Sequence, residues 1–520
     1  MDYSKVKLNQ TMFDFMRNYR TTFYGDAYIY RFEKREIFLF LKEVERVAGS
    51  FVAMGVKAGD NIAMSLPNCP QALVAMYAAN RIGAAVSVHY PKSNPETFKK
   101  SLDLIKPKIC LLSDINYFKY KKLVGDAKIV VCPVYEKLYI GLKKSVKFEP
   151  YHSDGDDVAV YMHSSGTSGT PKTSALTNKN VNALVANMFD TINHHFDERD
   201  KMLACLPLFH GFGLVATIHA SLCARMTCCL LPNFSATKAL WTLKHYKVTC
   251  INIIPNMLKR MIKKPNFAEC FKTVKFVYVG GDTLSEELVL AAEKKFAEAG
   301  LNLKITQGYG LTEMASVCTL NVDCVKDSIG KPLKGVDIKI VDENLKEVKC
   351  GLVGEILMSG DQLMKGYVGD SKNPFVEVDG VKWLKSGDLA TQDERGNLFF
   401  KGREKRLIKI SGINVFPIEI ELVADSIDEV CCSCAVCKHD ETGKPFIKLF
   451  VELKEGFVLD DAIAKKILDA VKTKLSRWNI PSQIEQLAEM PYTEMGKIDY
   501  KLLSKDDYLN EGVKILTGGQ

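Results

Sequence analysis

The stretch Ser164-Ser-Gly-Thr-Ser-Gly-Thr-Pro-Lys172 carries the strongest local signal in the chain. Its glycines allow backbone N–H groups to turn toward an anion, its hydroxyls can donate hydrogen bonds, and Lys172 adds a positive charge. It is not a Walker A loop, because Pro171 stands directly before the lysine. A flexible Gly/Ser linker is the alternative, but the close spacing of two flanking strands and the terminal Lys172 favour an anion-binding loop.

The sequence on either side of this loop predicts the fold around it. Apolar runs at residues 158–162 and 173–176 indicate two strands joined by the loop, and a helix is expected to begin near Asn178. Its apolar face would consist of Val181, Leu184, Val185, Met188 and Ile192. Further on, residues 275–281 read as a buried strand, followed by a helix that would open at Thr283-Leu-Ser-Glu286 and close at Gly300. This alternation predicts an α/β fold with parallel sheets.

The chain of 520 residues is too long for one hydrophobic core. After Asp388 the pattern changes to shorter strands, such as Asn397-Leu-Phe-Phe-Lys401, and then to the charged connection Gly402-Arg-Glu-Lys-Arg406. We therefore predict a large N-terminal domain of layered mixed sheets and helices over residues 1–403. A small, mobile α+β domain would follow over residues 404–520.

Composition narrows the class of protein. Apolar residues make up 47% and charged residues 25%, the balance of an ordinary soluble globular protein. The net charge of +8 (70 basic minus 62 acidic residues) is spread along the chain without a basic tail, so no nucleic-acid partner is expected. No apolar run reaches about 18 residues and no apolar signal core is visible, which predicts a cytoplasmic protein without a membrane span. The oligomeric state stays open, a homodimer included.

Sixteen cysteines are expected to be reduced and mostly buried. Cys431, Cys434 and Cys437 have a C-x2-C-x2-C spacing similar to an iron–sulfur run, but Glu441 occupies the position of a fourth ligand. The segment is better explained as a short buried strand before the turn at residues 439–443.

Further motifs follow the loop in a fixed order. They are Leu206-Pro-Leu-Phe-His-Gly-Phe-Gly213, Gln307-Gly-Tyr-Gly-Leu-Thr-Glu313, Ser386-Gly-Asp388, Gly402-Arg-Glu-Lys-Arg-Leu-Ile-Lys409 continuing to Gly412, and Thr493-Glu-Met-Gly-Lys497. With these motifs the chain resembles, over nearly its whole length, the adenylate-forming superfamily of acyl- and aryl-CoA synthetases, peptide-synthetase adenylation domains and luciferases. The resemblance is strongest to an AMP-forming acyl-CoA synthetase.

The resemblance implies roles for individual residues. The ATP-binding residues would be Ser164, Ser165, Gly166, Thr167, Ser168, Gly169, Lys172, Gly280, Gly281, Gln307, Gly308, Tyr309, Thr312, Asp388 and Arg403. Glu313 would hold Mg²⁺, which prefers carboxylate oxygen, and Lys497, Thr312, Glu313 and His210 would be catalytic. Lys405 would be the hinge, with Lys409, Ser411, Gly412 and Asn414 on the coenzyme A side. Attack of a carboxylate on the α-phosphate brings anions together, so cations and fixed donors are what the chemistry requires.

The implied reaction is formation of an acyl-adenylate with release of pyrophosphate, followed by transfer of the acyl group to coenzyme A. The alternatives are a free-standing enzyme that loads an acyl or amino acid onto a carrier protein, and an inactive adenylate-binding protein. No carboxylate accompanies Phe209 that could pair with a substrate ammonium, which disfavours amino acids. The largely apolar stretches 211–223 and 251–255, interrupted by His219, predict a fatty or aryl acid, the fatty acid being the first expectation.

The chain departs from the family pattern at three positions. Thr173 stands where a glycine is usual after the loop lysine, and Asn178 where a histidine is usual. Neither is expected to contact ligand. Asn414 replaces the glutamine of ligases similar to 4-coumarate–CoA ligase, which affects the detail of the adenylate contact.

Overall fold

A computed structural model of the protein describes residues 6–19, 24–164, 172–369, 373–493, 497–505, 508 and 514–516. Within these ranges, no helix combines the length and the apolar character that a membrane crossing requires. The α-helices are α1 (Met12–Tyr19), α2 (Ile37–Ala53), α3 (Pro70–Arg81), α4 (Pro95–Ile105), α5 (Tyr117–Tyr120), α6 (Asn178–Ile192), α7 (Ala220–Cys223), α8 (Ala236–Tyr246), α9 (Pro255–Ile262), α10 (Glu286–Glu298), α11 (Pro417–Asp425), α12 (Asp461–Lys474) and α13 (Tyr500–Ser504).

The strands alternate with these helices in the first two thirds of the chain. They are β1 (Asp26–Tyr30), β2 (Glu33–Glu36), β3 (Asn61–Ser65), β4 (Ala85–Val88), β5 (Ile109–Ser113), β6 (Lys128–Cys132), β7 (Val158–Ser164), β8 (Lys172–Thr177), β9 (Lys201–Ala204), β10 (Thr227–Leu230), β11 (Cys250–Ile253), β12 (Phe276–Gly280), β13 (Ile305–Leu311), β14 (Ser316–Leu320), β15 (Lys331–Pro332), β16 (Val336–Val341), β17 (Gly354–Gly360), β18 (Gly366–Tyr367), β19 (Phe375–Val378), β20 (Val381–Gln392), β21 (Leu398–Arg403), β22 (Ile408–Ile410), β23 (Ile413–Val415), β24 (Val430–His439), β25 (Pro445–Leu453), β26 (Gln483–Leu487) and β27 (Lys514–Leu516).

Two large sheets carry the predicted nucleotide residues of the N-terminal part. One has the order β18-β8-β7-β4-β3-β5-β6, with β7, β4, β3, β5 and β6 parallel and β8 antiparallel to β7. The other has the order β15-β14-β13-β12-β11-β9-β10-β1-β2 and is parallel from β13 to β1. Near-continuous apolar strands such as β5, whose residues are all buried, are what parallel strands covered on both faces require.

Helices α8, α9 and α10 complete the core of the nine-stranded sheet. Leu243, Leu258 and Phe296 from these helices pack in one cluster with Leu203, Ile251 and Val277 of the strands. Burying an aliphatic or aromatic side chain of this kind stabilises a fold by about 1.5–3 kcal/mol, so this cluster holds β11, β12 and β13 in place. The carboxyl ends of those strands carry several of the predicted site residues.

The later strands form smaller sheets. Strands β16, β17, β20 and β19 pair in that order, and β21 pairs with β20. Strands β22 and β23 form a hairpin, and β24-β25-β26-β27 form a four-stranded sheet. Helices α11 and α12 cover the last of these with a core that includes Ile420, Ile467 and Leu449, all fully buried. The α+β character predicted for the C-terminal part is thus confirmed.

The chain divides into two compact units, Met1–Ile338 with Met358–Leu384, and Lys339–Leu357 with Lys385–Gln520. The boundary predicted after Arg403 stays a prediction. The predicted close of helix α10 at Gly300 is confirmed and its predicted cap at Thr283 is wrong: the helix begins at Glu286 and ends at Glu298, and Gly300 follows with a φ of +74°. Its N-cap is Ser285, whose hydroxyl accepts from the Leu288 N–H at 3.3 Å. Thr283 and Ser285 are both cap-forming residue types, so spacing alone could not choose between them.

Candidate functional site

The strands around the predicted phosphate-binding loop form an antiparallel pair. Ser164 at the end of β7 stands opposite Lys172 at the start of β8, as expected for a loop that joins two strands. The predicted ATP-binding residues Ser165, Gly166, Thr167, Ser168 and Gly169 lie outside the described residues.

Two histidines that the sequence analysis missed, the buried His89 and the half-buried His163, hold this strand pair together. His163 Nδ1 lies 2.9 Å from the Thr173 hydroxyl, and its Nε2 lies 2.8 Å from the Ser87 hydroxyl. His89 contacts the same Ser87 hydroxyl at 2.9 Å and stacks on His163 with ring centroids 4.3 Å apart. Burial lowers the pKa of His163 to about 4 and lowers that of His89 as well. Both rings are therefore neutral near pH 7, and their hydrogen bonds link β4, β7 and β8.

Two of the three residues at which the chain departs from the family pattern, Thr173 and Asn178, make structural hydrogen bonds. Thr173 holds His163, as described above. Asn178 is buried, and its Oδ1 accepts hydrogen bonds from the Met12 N–H and the Asn80 Nδ2, both at 2.8 Å. It thereby ties α6 to α1 and α3. Helix α6 begins at Asn178 as predicted, capped by the Thr177 side chain.

Tyr367 links the loop lysine to the predicted magnesium ligand. Its hydroxyl donates to Glu313 Oε1 at 2.5 Å, and Lys172 Nζ lies 4.5 Å from the centroid of its ring. Burial and the Glu313 charge raise the pKa of Tyr367, so the phenol stays a donor. Its ring therefore brings the cation and the carboxylate, 141 residues apart in the chain, to the two sides of a single side chain. The only sequence signal for Tyr367 was an aromatic residue after Lys365-Gly366, too weak to find it.

Hydrogen bonds from Gln362 and Met364 hold the backbone of the turn that carries Thr312 and Glu313. Thr312–Met314 form a single 3₁₀ turn after β13. The Glu313 carbonyl accepts from the Met364 N–H at 2.8 Å, and Gln362 Nε2 donates to the carbonyls of Met314 and Val317 at 3.1 and 2.8 Å. The glutamate is thus fixed through its backbone as well as through its side chain.

The predicted gate segment lies against the same turn. A methyl group on Gly211 would lie 2.7 Å from the carbonyl oxygen of Ala315, so only glycine allows this approach. Beside it, the Phe209 ring contacts Tyr90 and His210, with centroids 4.7 and 5.2 Å apart. The segment that carries His210 therefore packs, through Gly211, against the end of the Thr312–Met314 turn, while the role of His210 stays a prediction.

Close backbone packing places the predicted adenine-side glycines. Gly280 pairs with Gly308 across β12 and β13, and a methyl group on Gly280 would lie 2.5 Å from the Gly308 carbonyl. The Gln307 carbonyl accepts from the Asn321 N–H at 2.8 Å. Tyr309, two residues on in β13, is half-buried and stands opposite Thr319 of β14. Gly280 thus lies on β12 and Gln307–Tyr309 lie on the neighbouring β13, which continues directly into the Thr312–Glu313 turn.

An apolar corner lies beside Gly281. A methyl group on Gly281 would be 3.5 Å from Ile254 Cγ2 and 4.0 Å from Phe212 Cδ1. Phe212 opens a π-helical segment, Phe212–His219, that precedes α7. His219 is fully buried within it, hydrogen-bonded to the Tyr77 hydroxyl at 2.9 Å, and burial lowers its pKa to about 3. It is a neutral core residue, and the stretch that contains it is apolar as predicted.

Asp388 and Arg403 meet in the second compact unit. They are directly paired residues of β20 and β21, and Arg403 Nε lies 3.2 Å from Asp388 Oδ1. The Asp388 N–H donates to the Ser386 hydroxyl at 3.0 Å, and the Gly387 N–H donates to Glu355 Oε1 at 3.0 Å. The Asp388 side chain is buried while that of Arg403 is partly exposed, so the pair presents its donor groups outward.

The predicted hinge lies between two anchored arginines. Lys405 is exposed in the single 3₁₀ turn Glu404–Arg406. Arg403 before it holds Asp388, and Arg406 after it pairs with Glu421.

The predicted coenzyme A residues follow on the β22–β23 hairpin. Lys409 pairs with Asn414, and Ser411 and Gly412 form the turn with φ values of +50° and +80°. This is the two-residue turn that favours glycine. All of these side chains are exposed.

Lys497 also lies on a turn. Its carbonyl accepts from the Thr493 N–H at 2.8 Å, and its own N–H donates to the Thr493 hydroxyl at 3.3 Å. Tyr492 and Ile498 pair as an isolated bridge at the base. The Lys497 side chain is exposed, which suits a cation that is to meet a ligand.

Comparison with known proteins identifies the class. The model of the family described as AMP-binding enzyme matches residues 39–368. The chain is 28% identical over 484 residues to 4-coumarate–CoA ligase CCL1 of Humulus lupulus, which covers 88% of this chain and 86% of that protein. It is 28% identical over 491 residues to luciferin 4-monooxygenase of Photuris pensylvanica, covering 89% and 88%. The o-succinylbenzoate coenzyme A synthetase of Bacillus subtilis, solved in complex with ATP and magnesium ion, aligns with a TM-score of 0.81 at 25% identity, covering 94% and 98%.

The site and the fold thus define an adenylate-forming enzyme. Because the family model matches more than half of its length, the chain belongs to the AMP-binding enzyme family. The predicted α/β fold and the predicted class, an AMP-forming carboxylic acid–CoA ligase that uses ATP, Mg²⁺ and coenzyme A, are confirmed. The roles of the individual site residues stay predictions.

Proposed function

We propose that this protein activates an aryl or arylalkyl carboxylic acid as its adenylate and transfers the acyl group to coenzyme A. The observation that carries the proposal is the apolar corner at Gly281, where a methyl group on Gly281 would lie within 4.0 Å of both Phe212 and Ile254. A flat ring can stack against Phe212 there at little cost, since offset aromatic contacts are favourable. The relatives that act on 4-coumarate and o-succinylbenzoate support an aromatic acid.

The phosphates of the nucleotide would be bound through the two residues that Tyr367 contacts, Lys172 and Glu313. Lys172 supplies a cation for the phosphates, and the Glu313 carboxylate, fixed through one oxygen by the Tyr367 hydroxyl, has its other oxygen for Mg²⁺. The donor set therefore fits the ion, which would supply neutralising charge to the phosphate oxygens. Thr312 would donate to the α-phosphate, Tyr309 would offer its face to adenine, and Asp388 with Arg403 would bind the ribose.

The segment around Phe209 contains no carboxylate, and the Phe209 ring packs against the rings of Tyr90 and His210, so a substrate ammonium would lack a counter-ion from this segment. Leaving a buried charge unpaired costs several kcal/mol. We therefore propose that amino acids are rejected. A fatty acid, the first expectation from the sequence, is the alternative substrate, and the experiment below compares it with aryl acids.

The test is acid-dependent pyrophosphate release with and without coenzyme A, over a panel of acids. 3-Phenylpropionate and phenylalanine form a matched pair that differs only in the amine, and 4-coumarate and straight-chain fatty acids complete the panel. We expect the aryl acids to be preferred over phenylalanine by about 10²-fold or more. If fatty acids are preferred, the substrate is a fatty acid and not an aryl acid. If phenylalanine is preferred, the proposal is wrong. Pyrophosphate release without thioester formation would favour carrier-protein loading.

A further inference from the structure

Three potential metal ligands converge in the second compact unit, and none of them has a role in the site described above. Cys431 Sγ, Cys432 Sγ and a carboxylate oxygen of Glu452 all lie within 4.8 Å of one another. All three residues are half-buried, so the cluster is sheltered yet reachable from solvent. It differs from the C-x2-C-x2-C spacing noted in the sequence, because Cys434 is buried beside Arg406 instead.

A β-bulge explains why adjacent cysteines can act together. Successive side chains of a strand point to opposite faces, but β24 shifts register between Val430 and Cys432. A bulge places an extra residue in one strand and re-aims its side chain, which brings Cys431 Sγ to the side of Cys432. Cys432 stands directly opposite Glu452 of β25, and its thiol lies 3.9 Å from Glu452 Oε2.

Glu452 is held in place for such a role. Its Oε2 accepts a hydrogen bond from the Met490 N–H at 2.7 Å, which fixes the carboxylate as outer partners fix metal ligands. The hydroxyl of Tyr492 lies 3.8 Å from Cys432 Sγ, next to the place where a fourth ligand would sit. Tyr492 in turn pairs with Ile498 at the base of the turn that carries Lys497.

We propose that Cys431, Cys432 and Glu452 form a site for a thiophilic divalent cation, Zn²⁺ above all, that fixes Tyr492 and thereby the turn of Lys497. Two thiolates and one carboxylate are a ligand set that zinc accepts, with water or the Tyr492 hydroxyl in the fourth position. Binding replaces two thiol protons, released to solvent, by two sulfur–metal bonds, and needs no oxidant. Held in this way, the turn of Lys497 moves less freely, and the adenylation step slows.

The first experiment measures binding alone and is independent of any enzymatic activity. The reduced full-length protein, stripped of metal with a chelator, is titrated with Cd²⁺ while the thiolate-to-cadmium absorbance is followed, and Zn²⁺ is then added as competitor. We expect Cys431→Ser and Cys432→Ser to weaken binding by about 100-fold or more, and Glu452→Gln by about tenfold or more. Glu452→Gln keeps the acceptor for the Met490 N–H, so it tests the charge without disturbing the fold.

Matched controls are the two exposed cysteines elsewhere, Cys324 and Cys350. Cys324→Ser and Cys350→Ser should bind Cd²⁺ as the unaltered protein does. Unchanged binding by Cys431→Ser, or loss of binding in either control, would overturn the site.

The second experiment rests on the proposed function. Zn²⁺ with Mg²⁺ in excess should slow acid-dependent pyrophosphate exchange by about tenfold, since conformational steps of this kind gate turnover, and Cys431→Ser should be insensitive. If Cd²⁺ binds as expected but Zn²⁺ leaves exchange unchanged, the link to the Lys497 turn is wrong and the metal site stands. If the untreated protein shows no exchange with any acid, the proposed function fails, and the Cd²⁺ titration still decides the site.

Discussion

At the scale of single residues, Tyr367 makes two contacts whose effects can be measured separately. Tyr367 donates to Glu313 while its ring carries Lys172. The hydroxyl orients the carboxylate, and the ring positions the ammonium by a cation–π contact, which is worth about 0.5–2 kcal/mol. The two contributions can be separated because they reside in different atoms of one side chain.

Tyr367→Phe should remove the first contribution and keep the second. Losing a hydrogen bond to a charged group costs about 1.5–3 kcal/mol, so we expect acid-dependent pyrophosphate exchange to fall by about 10- to 100-fold and to need more Mg²⁺. Tyr367→Leu, which also removes the ring under Lys172, is the control and should lose more, including affinity for ATP. If pyrophosphate exchange by Tyr367→Phe depends on the Mg²⁺ concentration as exchange by the unaltered protein does, the hydroxyl does not orient Glu313.

Lys497 is the second residue whose role can be isolated. Its exposed ammonium would stabilise charge in the adenylation step, and losing one such donor costs about 10²–10³ in rate. Lys497→Ala should therefore block adenylation but still convert supplied acyl-adenylate and coenzyme A to thioester. The variant Lys501→Ala, which changes a lysine of the following helix α13, is the control and should retain both steps. An equal loss of both half-reactions in Lys497→Ala would contradict the assignment.

At the scale of elements, the connection between β21 and β22 is short and tightly bounded. Arg403 is held by Asp388 on one side and Arg406 by Glu421 on the other, while Glu404 and Lys405 between them are exposed. A change of backbone direction in this connection would therefore fall on these two residues, since hinges are a few positions that absorb the torsional change.

Lys405→Pro tests that expectation because proline fixes φ near about −65°. It should keep acid-dependent pyrophosphate exchange and slow thioester formation by about tenfold or more. Lys405→Ala leaves φ unrestricted and should do far less, which makes it the matched control. If the proline variant forms acyl-CoA at the normal rate, the pivot lies elsewhere or no rotation is needed.

At the scale of the whole molecule, buried histidines couple stability to pH. Burial lowers the pKa of His163 to about 4 and of His219 to about 3, and also lowers that of His89. In the unfolded chain these histidines have a pKa of about 6.5. Below that pH the unfolded state binds more protons than the folded state, so their stabilisation is fully present above about pH 6.5 and is lost as the pH falls.

Each histidine should cost about 1.4 kcal/mol of unfolding free energy per pH unit below about pH 6.5. Urea unfolding at about pH 7 and about pH 5 should therefore show a marked loss of stability on acidification. His219→Gln, which keeps a partner for the Tyr77 hydroxyl, should flatten this dependence by about one histidine's share. The exposed His245→Gln is the control and should not change the slope; a slope unaffected by His219→Gln would contradict the assignment.

The sequence alone was sufficient for the class, the alternation of elements and the order of the motifs. Residues 158–162 and 173–176 formed the predicted strands, and α6 began at Asn178, because periodicity and capping are local properties of the chain. Cys431–Cys437 likewise formed a strand, since buried-strand patterning is visible in a few residues.

Contacts between distant parts of the chain were decided only by the tertiary structure. The bond between Tyr367 and Glu313 spans 54 residues, and the bond between His163 and Ser87 spans 76. No local sequence pattern predicts such pairs, because the order of strands in the sheet determines which strands become neighbours. The same holds for Glu452, which a strand pairing and a bulge bring to Cys431 and Cys432. Local chemistry is written in neighbouring residues, whereas a site is assembled by the pairing of strands far apart in sequence.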